Sequence, residues 1–390
     1  MTVSAGDARA VGGKDMENKP NVNPGKLELT DENIIDLPGM ASRWVRLADG
    51  RRAHYITTGD KGPYVVLLHG GIEGSSGTAG WRFMAPFLGA NGFRVFCPDQ
   101  PGYGLSDVSK VEYLDGSPKA KVDFVKNFAD ALCLDTFHLA GNSMGCMVAC
   151  DFVISHPERV KSVFFIAGGF GDISPAPMIP PREGKFNPNK QYDELSKALA
   201  WDGTEKGMQA MMDGIIYQKA AVWPELVKMR TMAGLRQREA RINAGLPYGL
   251  QAAFGEQSPD QKQIFSTKGR LDKLTIPMIY LYGMQDVLLP VENGYNQEDS
   301  IPNIQFFYPQ ETGHQGQTDR PALFNQVALE FFGTGKVTWK TAVDAGVSLR
   351  RPINPSLVEA PKAGFPKPNA SIYKDPESLN AGLKVLEGVS

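Results

Sequence analysis

The stretch TFHLAGNSMGCMVACDF, residues 136–152, constrains this chain more than any other. It begins as an apolar strand pattern, ends as an apolar helix, and crosses between them through Gly141-Asn142-Ser143-Met144-Gly145. A G-x-S-x-G run at such a junction is an elbow: the tight turn lifts the serine hydroxyl above a sheet, and the flanking glycines remove side chains that would collide. An elbow of this kind needs a sheet with helices on its faces, and the surrounding sequence supplies one. PYVVLLHGG reads as a strand covered on both faces, GWRFMAPFLGANG as a helix, FRVFCPD as a strand and KAKVDFVKNFADALCL as an amphipathic helix. SMGCMVACDFVISHP reads as a helix stopped by Pro157, and VKSVFFIAGG as the next strand. Upstream, SRWVRL and RRAHYITTG form a hairpin about Asp49-Gly50. The expected class is α/β, with a mostly parallel, doubly wound sheet.

The alternation stops after the sixth strand. Residues 171–272 carry a Pro-rich loop, SPAPMIPP, and helical segments such as EKGMQAMMDGIIYQKA and ELVKMRTMAGLRQREARINAG, and read as an inserted helical cap. Strands IPMIYLYG and NIQFFYP and the helix RPALFNQVALEFF then resume the core. The expected organisation is an N-terminal arm (1–40), a core (41–170 and 273–335), the cap (171–272) and a C-terminal extension (336–390) that packs on the main domain. The five cap methionines Met208, Met211, Met212, Met229 and Met232 fit an adaptable pocket wall and ordinary core packing equally well.

Whole-chain numbers narrow the function. The formal net charge of −2 leaves no basic footprint for nucleic acid or an acidic membrane surface. No apolar run is long enough to span a bilayer or to serve as a signal peptide. The four cysteines, Cys97, Cys133, Cys146 and Cys150, lack zinc-type spacing and read as small apolar filler in a reducing cytoplasm. The expectation is therefore a cytoplasmic chain acting on a small molecule, without metal or organic cofactor; a homo-oligomer is left open.

A serine nucleophile needs a base, an orienting acid and donors for the developing oxyanion. Of five histidines, His54 and His138 lie in strand patterns, His156 ends a helix and His69 ends a buried strand, where a structural role outweighs a catalytic one. His314 alone sits in a loop after the last strand, in ETGHQGQTD, and is the expected base. Asp286, in the loop GMQDVLLP, is the expected acid; Asp172, in GGFGDIS, is the runner-up, while Asp99 and Asp107 read as turn residues. The chain order serine, acid, histidine fits a strand-elbow hydrolase. The backbone N–H groups of Met144 and Gly71 are the expected oxyanion donors, and the flexible run GGIEGSSGTAG sets Gly70 and Ile72 beside the substrate.

Across residues 42–333 these features resemble the α/β-hydrolase superfamily. GNSMG, LLHGG, PDQPGYGLSD and the closing pattern GHxxQxxxxxxFNxxxxxFF look like the meta-cleavage-product hydrolases, which cut carbon–carbon bonds in vinylogous diketones formed by aromatic-ring degradation. The resemblance implies a Ser143–His314–Asp286 triad, an active-site polar role for Asn142, and a substrate-carboxylate role for Arg230, whose alternative is a solvated helix charge. Two positions depart from the pattern. Gln315 replaces the usual Trp after the catalytic histidine, and Arg82 or Phe83 stands near a position that is often Asn. The implied function is hydrolysis of a carbon–carbon bond beside a ketone in a small diketone acid. Ester, lactone or amide hydrolysis by the same triad is the alternative, and a cap-gated small-molecule sensor or pseudoenzyme a more distant one.

Overall fold

The apolar runs become the strands of one sheet, and their side chains explain why. A computed structural model describes residues 28–170, 173, 199–249 and 266–389. The strands are β1 (Ala41–Arg46), β2 (Arg52–Thr58), β3 (Tyr64–Leu68), β4 (Arg94–Pro98), β5 (Phe137–Asn142), β6 (Val160–Ile166), β7 (Met278–Leu281) and β8 (Gln305–Phe307). Their order is β1-β2-β4-β3-β5-β6-β7-β8. β2 runs antiparallel to β1 and β4, and every other pairing is parallel.

Successive side chains of a strand point to opposite faces. In β3, Val66 and Leu68 enter one apolar core while Val65 and Leu67 enter the other. In β6 the split is Val163 and Phe165 against Phe164 and Ile166. Each fully buried aliphatic side chain contributes about 1.5–3 kcal/mol, so both faces must be covered by helices. On one face lie α3 (Pro118–Ala131) and α4 (Met144–Ser155); on the other, α2 (Met84–Ala90) and α9 (Pro321–Thr334).

The segment GWRFMAPFLGANG differs from the single helix expected of it. It breaks at Arg82-Phe83 into α1 (Gly77–Trp81) and α2. Pro86 is the reason: it lacks an N–H, and its ring would clash with the carbonyl of Arg82 if the helix ran through, whereas the first turn of a new helix tolerates it. A second correction concerns the cysteines. Cys97, Cys146 and Cys150 are buried as expected of filler, but Cys133 is exposed at φ 54° in the turn after α3.

Among the described residues between β6 and β7 stand two long helices, α5 (Glu205–Ile215) and α6 (Pro224–Asn243). Met208, Met211, Met212, Met229 and Met232 are all buried there, in one apolar cluster with Ile72 and Leu105 of the core loops. Leu29 of the N-terminal arm joins the same cluster, and the Ile35 N–H meets Met229 Sδ at 3.5 Å. The loop SPAPMIPP lies outside the described residues. After β7 come α7 (Glu292–Ser300), α8 (Gly316–Asp319) and α9.

The extension beyond residue 335 contains α10 (Trp339–Asp344) and α11 (Pro376–Glu387) and is built into the fold. Val337, Trp339, Leu349, Ile372 and Leu386 pack in the apolar core that contains Phe307 and Phe331. Its backbone lies along the free edge of β8: Val347 bridges Phe307, and the Ser348 N–H donates to the Phe306 carbonyl at 2.9 Å. Covering an edge strand in this way removes a template for unwanted pairing. Among the described residues no helix is long and apolar enough to cross a membrane.

Candidate active site

Ser143 sits between β5 and α4 with φ 57° and ψ −119°, a conformation an L-residue adopts only when its surroundings impose it. The two glycines of the elbow show what imposes it. A Cβ on Gly141 would lie 2.1 Å from the Gly145 carbonyl oxygen, and one on Gly145 would lie 2.1 Å from that of Leu68. The turn is thus too tight for side chains at either position. The Ser143 N–H donates to the Ile166 carbonyl at 2.9 Å, pinning the strained residue to β6.

His314 reaches the elbow from the loop after β8. The amide of Asn142 donates to the His314 carbonyl at 2.9 Å, so the residue beside Ser143 grips the residue expected to be its base. Asn142 also donates to Ile166 at 3.3 Å, which spends both amide protons on the elbow and the histidine loop. His314 Nδ1 lies 2.8 Å from Asp286 Oδ2, with both side chains buried. The other Asp286 oxygen accepts the Leu289 N–H at 2.8 Å. Among the described residues, buried Nε2 of His314 has no hydrogen-bond partner. Its acceptor position is therefore free for a hydroxyl proton, as a general base requires. Asp172, the rival acid, lies outside the described residues.

The loop after β3 is held by its own histidine. His69 Nδ1 lies 2.7 Å from the Gly70 carbonyl, and Nε2 accepts the Gln100 N–H at 2.9 Å. One nitrogen donates and the other accepts, so the ring is neutral; burial pushes its pKa down to about 4. With the Gly70 carbonyl held at the ring, the Gly71 N–H across that trans peptide points the opposite way. The Gly71 carbonyl accepts the Tyr103 hydroxyl at 2.8 Å. Among the described residues, neither the Gly71 N–H nor the Met144 N–H is engaged in a turn hydrogen bond. Gly70 faces Ser143: a Cβ there would lie 3.3 Å from Ser143 Cβ.

Arg230 is not a solvated helix charge. It is 1% exposed, donating to the Glu73 carbonyl at 3.2 Å and to Ser75 Oγ at 3.3 Å, while Nε has no partner. No carboxylate lies within ion-pair distance of it among the described residues, and burial, then the charge of Arg82, lowers its pKa to about 9. Arg82 is buried as well, donating to the Ala79 and Ala221 carbonyls at 2.8 and 2.7 Å. Glu73 and Arg238 join the same loop to α6 through a two-point ion pair at 3.1 and 3.0 Å. Ile72 is buried against the methionines, and Gln315 is buried beside His314 with Oε1 unpartnered.

A second Ser–His–Asp set lies elsewhere. Asp99, expected in a turn, is buried: its carboxylate takes His54 Nδ1 at 2.7 Å and the N–H groups of Gly77 and Leu105, each at 2.7 Å. His54 Nε2 lies 2.9 Å from Ser42 Oγ, which in turn donates to Asp31 at 2.6 Å. The serine proton is already bound to a carboxylate, and Ser42 lies within strand β1, away from any helix N-terminus.

With this geometry in hand, comparison with known proteins is decisive for the family. A family profile described as alpha/beta hydrolase fold matches residues 63–321. The chain belongs to the alpha/beta-hydrolase fold family. Within it, this hydrolase is 30% identical over 310 residues to a 2-hydroxy-6-oxononadienedioate/2-hydroxy-6-oxononatrienedioate hydrolase of Paraburkholderia phymatum, a match covering 78% of this chain and 100% of that protein. It is 29% identical over 280 residues to a 2-hydroxy-6-oxo-6-phenylhexa-2,4-dienoate hydrolase of Comamonas testosteroni, covering 71% and 90%. A solved meta-cleavage product hydrolase from Pseudomonas fluorescens shares the fold, with a TM-score of 0.58, 22% identity, and 75% and 98% of the two chains covered.

Sequence reasoning passed over Glu73, Arg238 and Asp319, which tie the insertion to the loops of the site. Asp319 was within reach: an acid closing the His314 segment just before the Pro321 helix start stands where a polar acceptor gathers loop N–H groups.

Proposed function

We propose that this hydrolase cuts a carbon–carbon bond beside a ketone in a small vinylogous diketone acid, using Ser143, His314 and Asp286. The observation that carries the reading is Arg230, a buried guanidinium on the insertion with an unpartnered Nε and no carboxylate beside it. A buried cation without a counter-ion is costly unless a ligand supplies one, and a carboxylate matches a guanidinium in shape and charge. The named relatives act on a 2-hydroxy-6-oxo-dienoate or on 2-hydroxy-6-oxo-dienedioates and -trienedioates, all of which carry a carboxylate beside the 2-hydroxyl and a ketone at the sixth carbon. Arg230 would hold that carboxylate and so present the ketone to the elbow.

The chemistry follows from the residues. An enol-to-keto shift places a proton on the carbon next to the ketone, making that carbon a leaving group once the carbonyl is attacked. His314 Nε2 takes the proton of the attacking hydroxyl, from Ser143 or from water, and Asp286 stabilises the imidazolium. The Gly71 and Met144 N–H groups receive the oxygen charge of the tetrahedral species. Collapse breaks the carbon–carbon bond and sends its electron pair into the conjugated second ketone as an enolate, which takes up the proton held by His314; water then releases any acyl group left on Ser143.

Ester, lactone or amide hydrolysis is the second reading, favoured by Gln315 in place of the family's tryptophan. The first reading further takes the substrate to be a small molecule met in the cytoplasm, where four cysteines outside any disulfide are chemically at ease. The deciding assay follows bleaching of a yellow dienolate from a meta-cleavage product. Rapid bleaching that Ser143→Ala abolishes, with KM raised roughly 30- to 300-fold in Arg230→Gln as expected for losing a buried charge-assisted pair, supports carbon–carbon cleavage. An inert dienolate alongside fast turnover of neutral acyl esters overturns it.

A further inference from the structure

The loop carrying His314 is clamped between two parts of the molecule. On the core side, Gln285, next to the acid, exchanges two hydrogen bonds with Thr312: its N–H donates at 2.9 Å and its Oε1 accepts at 3.0 Å. On the insertion side, the His314 N–H donates to the carbonyl of Ile215, the last residue of α5, at 3.0 Å. Between them sits Asp319, 6% exposed. Its Oδ2 accepts the Gly313 N–H at 2.7 Å and its Oδ1 the Gln218 N–H at 2.9 Å. One carboxylate therefore joins the residue before His314 to the chain that leaves α5.

We propose that Asp319, as the ionised carboxylate, is a positioning residue that fixes the His314 backbone by coupling it to the helical insertion. The proposal rests on His314 being the base. A carboxylate is acceptor-only, and N–H groups meet both of its oxygens; a proton added to either oxygen has no acceptor there and must displace a donor. The loop then keeps its bonds to Ile215, Thr312 and Asn142 but loses the one that ties Gly313 to the chain leaving α5.

The electrostatic setting makes this site titrate in a useful range. Burial pushes the Asp319 pKa up to about 6, against the opposing pull of the Gln218, Gly313 and Tyr217 N–H groups and of Lys219. The charged groups facing it are Lys219 from the insertion, itself near Asp213, and Arg82 at the end of α1. The other ionisable groups at this loop are His314, next in the chain to the Gly313 that Asp319 holds, and its partner Asp286. Stability and activity then move oppositely. A raised carboxylate pKa makes the folded state bind the proton more readily than the unfolded chain, so this group favours folding as pH falls from about 6 towards the ordinary value of 3.8. Activity falls over the same window, because the clamp is lost.

The test compares wild type with Asp319→Asn and Asp319→Glu across pH 4.5 to 8. It measures kcat and KM for a short acyl ester and the rate at which a fluorophosphonate labels Ser143. Asp319→Asn should lower kcat and the labelling rate together by about 10- to 100-fold, the value of a hydrogen bond to a charged group. KM should stay within about threefold, since the clamp orients the base and not the substrate. The acid limb of the kcat profile should become shallower by one proton, and Asp319→Glu should restore part of both rate and limb. A labelling rate or limb unchanged in Asp319→Asn overturns the proposal. If that variant does not fold, Gln218→Pro removes one donor and leaves the carboxylate. A roughly tenfold fall in labelling there supports the coupling, and full activity overturns it. Phosphonylation is indifferent to the bond normally cut; a wild type that resists labelling overturns the triad itself, a separate failure from an Asp319 without effect.

Discussion

His314 and His54 are held in the same way, yet among the described residues only His314 has its far nitrogen without a partner. Each ring has a buried carboxylate at Nδ1, at 2.8 Å for Asp286 and 2.7 Å for Asp99. Each pair follows the rule that buried charge must be matched. The difference is on the far nitrogen. His54 Nε2 is occupied by Ser42, whose own proton goes to Asp31, so every donor in that chain has a fixed acceptor. His314 Nε2 is buried and unpartnered among the described residues, beside a serine held at φ 57°. A saturated network suits an anchor; the set left short of a partner, near a strained serine, is the one proposed to react. Asp99 also holds two backbone N–H groups where Asp286 holds one, as suits a structural anchor.

The widest separation between the two sets should appear on deleting the serines. Ser143→Ala is expected to cut kcat/KM by about 10³-fold or more, measured by ester turnover or dienolate bleaching; an active Ser143→Ala would collapse the comparison. The carboxylates should divide by stability. Asp99→Ala strands His54 and two buried N–H groups and is expected to cost about 3–5 kcal/mol in urea unfolding, while the folded fraction keeps its specific activity.

His69 offers a third contrast, a histidine that never takes a proton in the folded state near neutrality. Its folded pKa of about 4 lies below the ordinary 6.5, so it contributes stability that is present above pH 6.5 and lost as pH falls towards 4. The loss should be about 3 kcal/mol, read as the part of the urea-midpoint shift that disappears in His69→Asn. Ser42→Ala sits at the bottom of the scale. It removes one bridging hydroxyl, costs about 1 kcal/mol and leaves catalysis unchanged; a loss of activity there would make the second set functional.

Much of the site could be read locally because its signals are local. G-x-S-x-G needs only its own five residues, and the steric reason, two glycines pressed on carbonyls 2.1 Å away, lies inside the elbow and the neighbouring strand. His314 and Asp286 were legible from their places after strands. The His54–Asp99 pair was not: 45 residues separate them, and only the antiparallel pairing of β2 with β4 makes them neighbours. The Pro86 break was legible in principle, since the consequence of proline for the preceding carbonyl is local; a continuous apolar pattern masked it.

What the sequence alone determined was the order of elements and the elbow, with the candidates proposed for the triad, because strand and helix periods and tight turns are written in adjacent residues. Tertiary structure decided the rest. It buried Arg230, where helical spacing left solvent and pocket equally open, because burial depends on what packs against a helix. It filled the far nitrogen of one histidine and left the other unpartnered, and it brought Asp319 to both the His314 loop and the insertion. Each of these turns on partners distant in the chain, which no local pattern encodes.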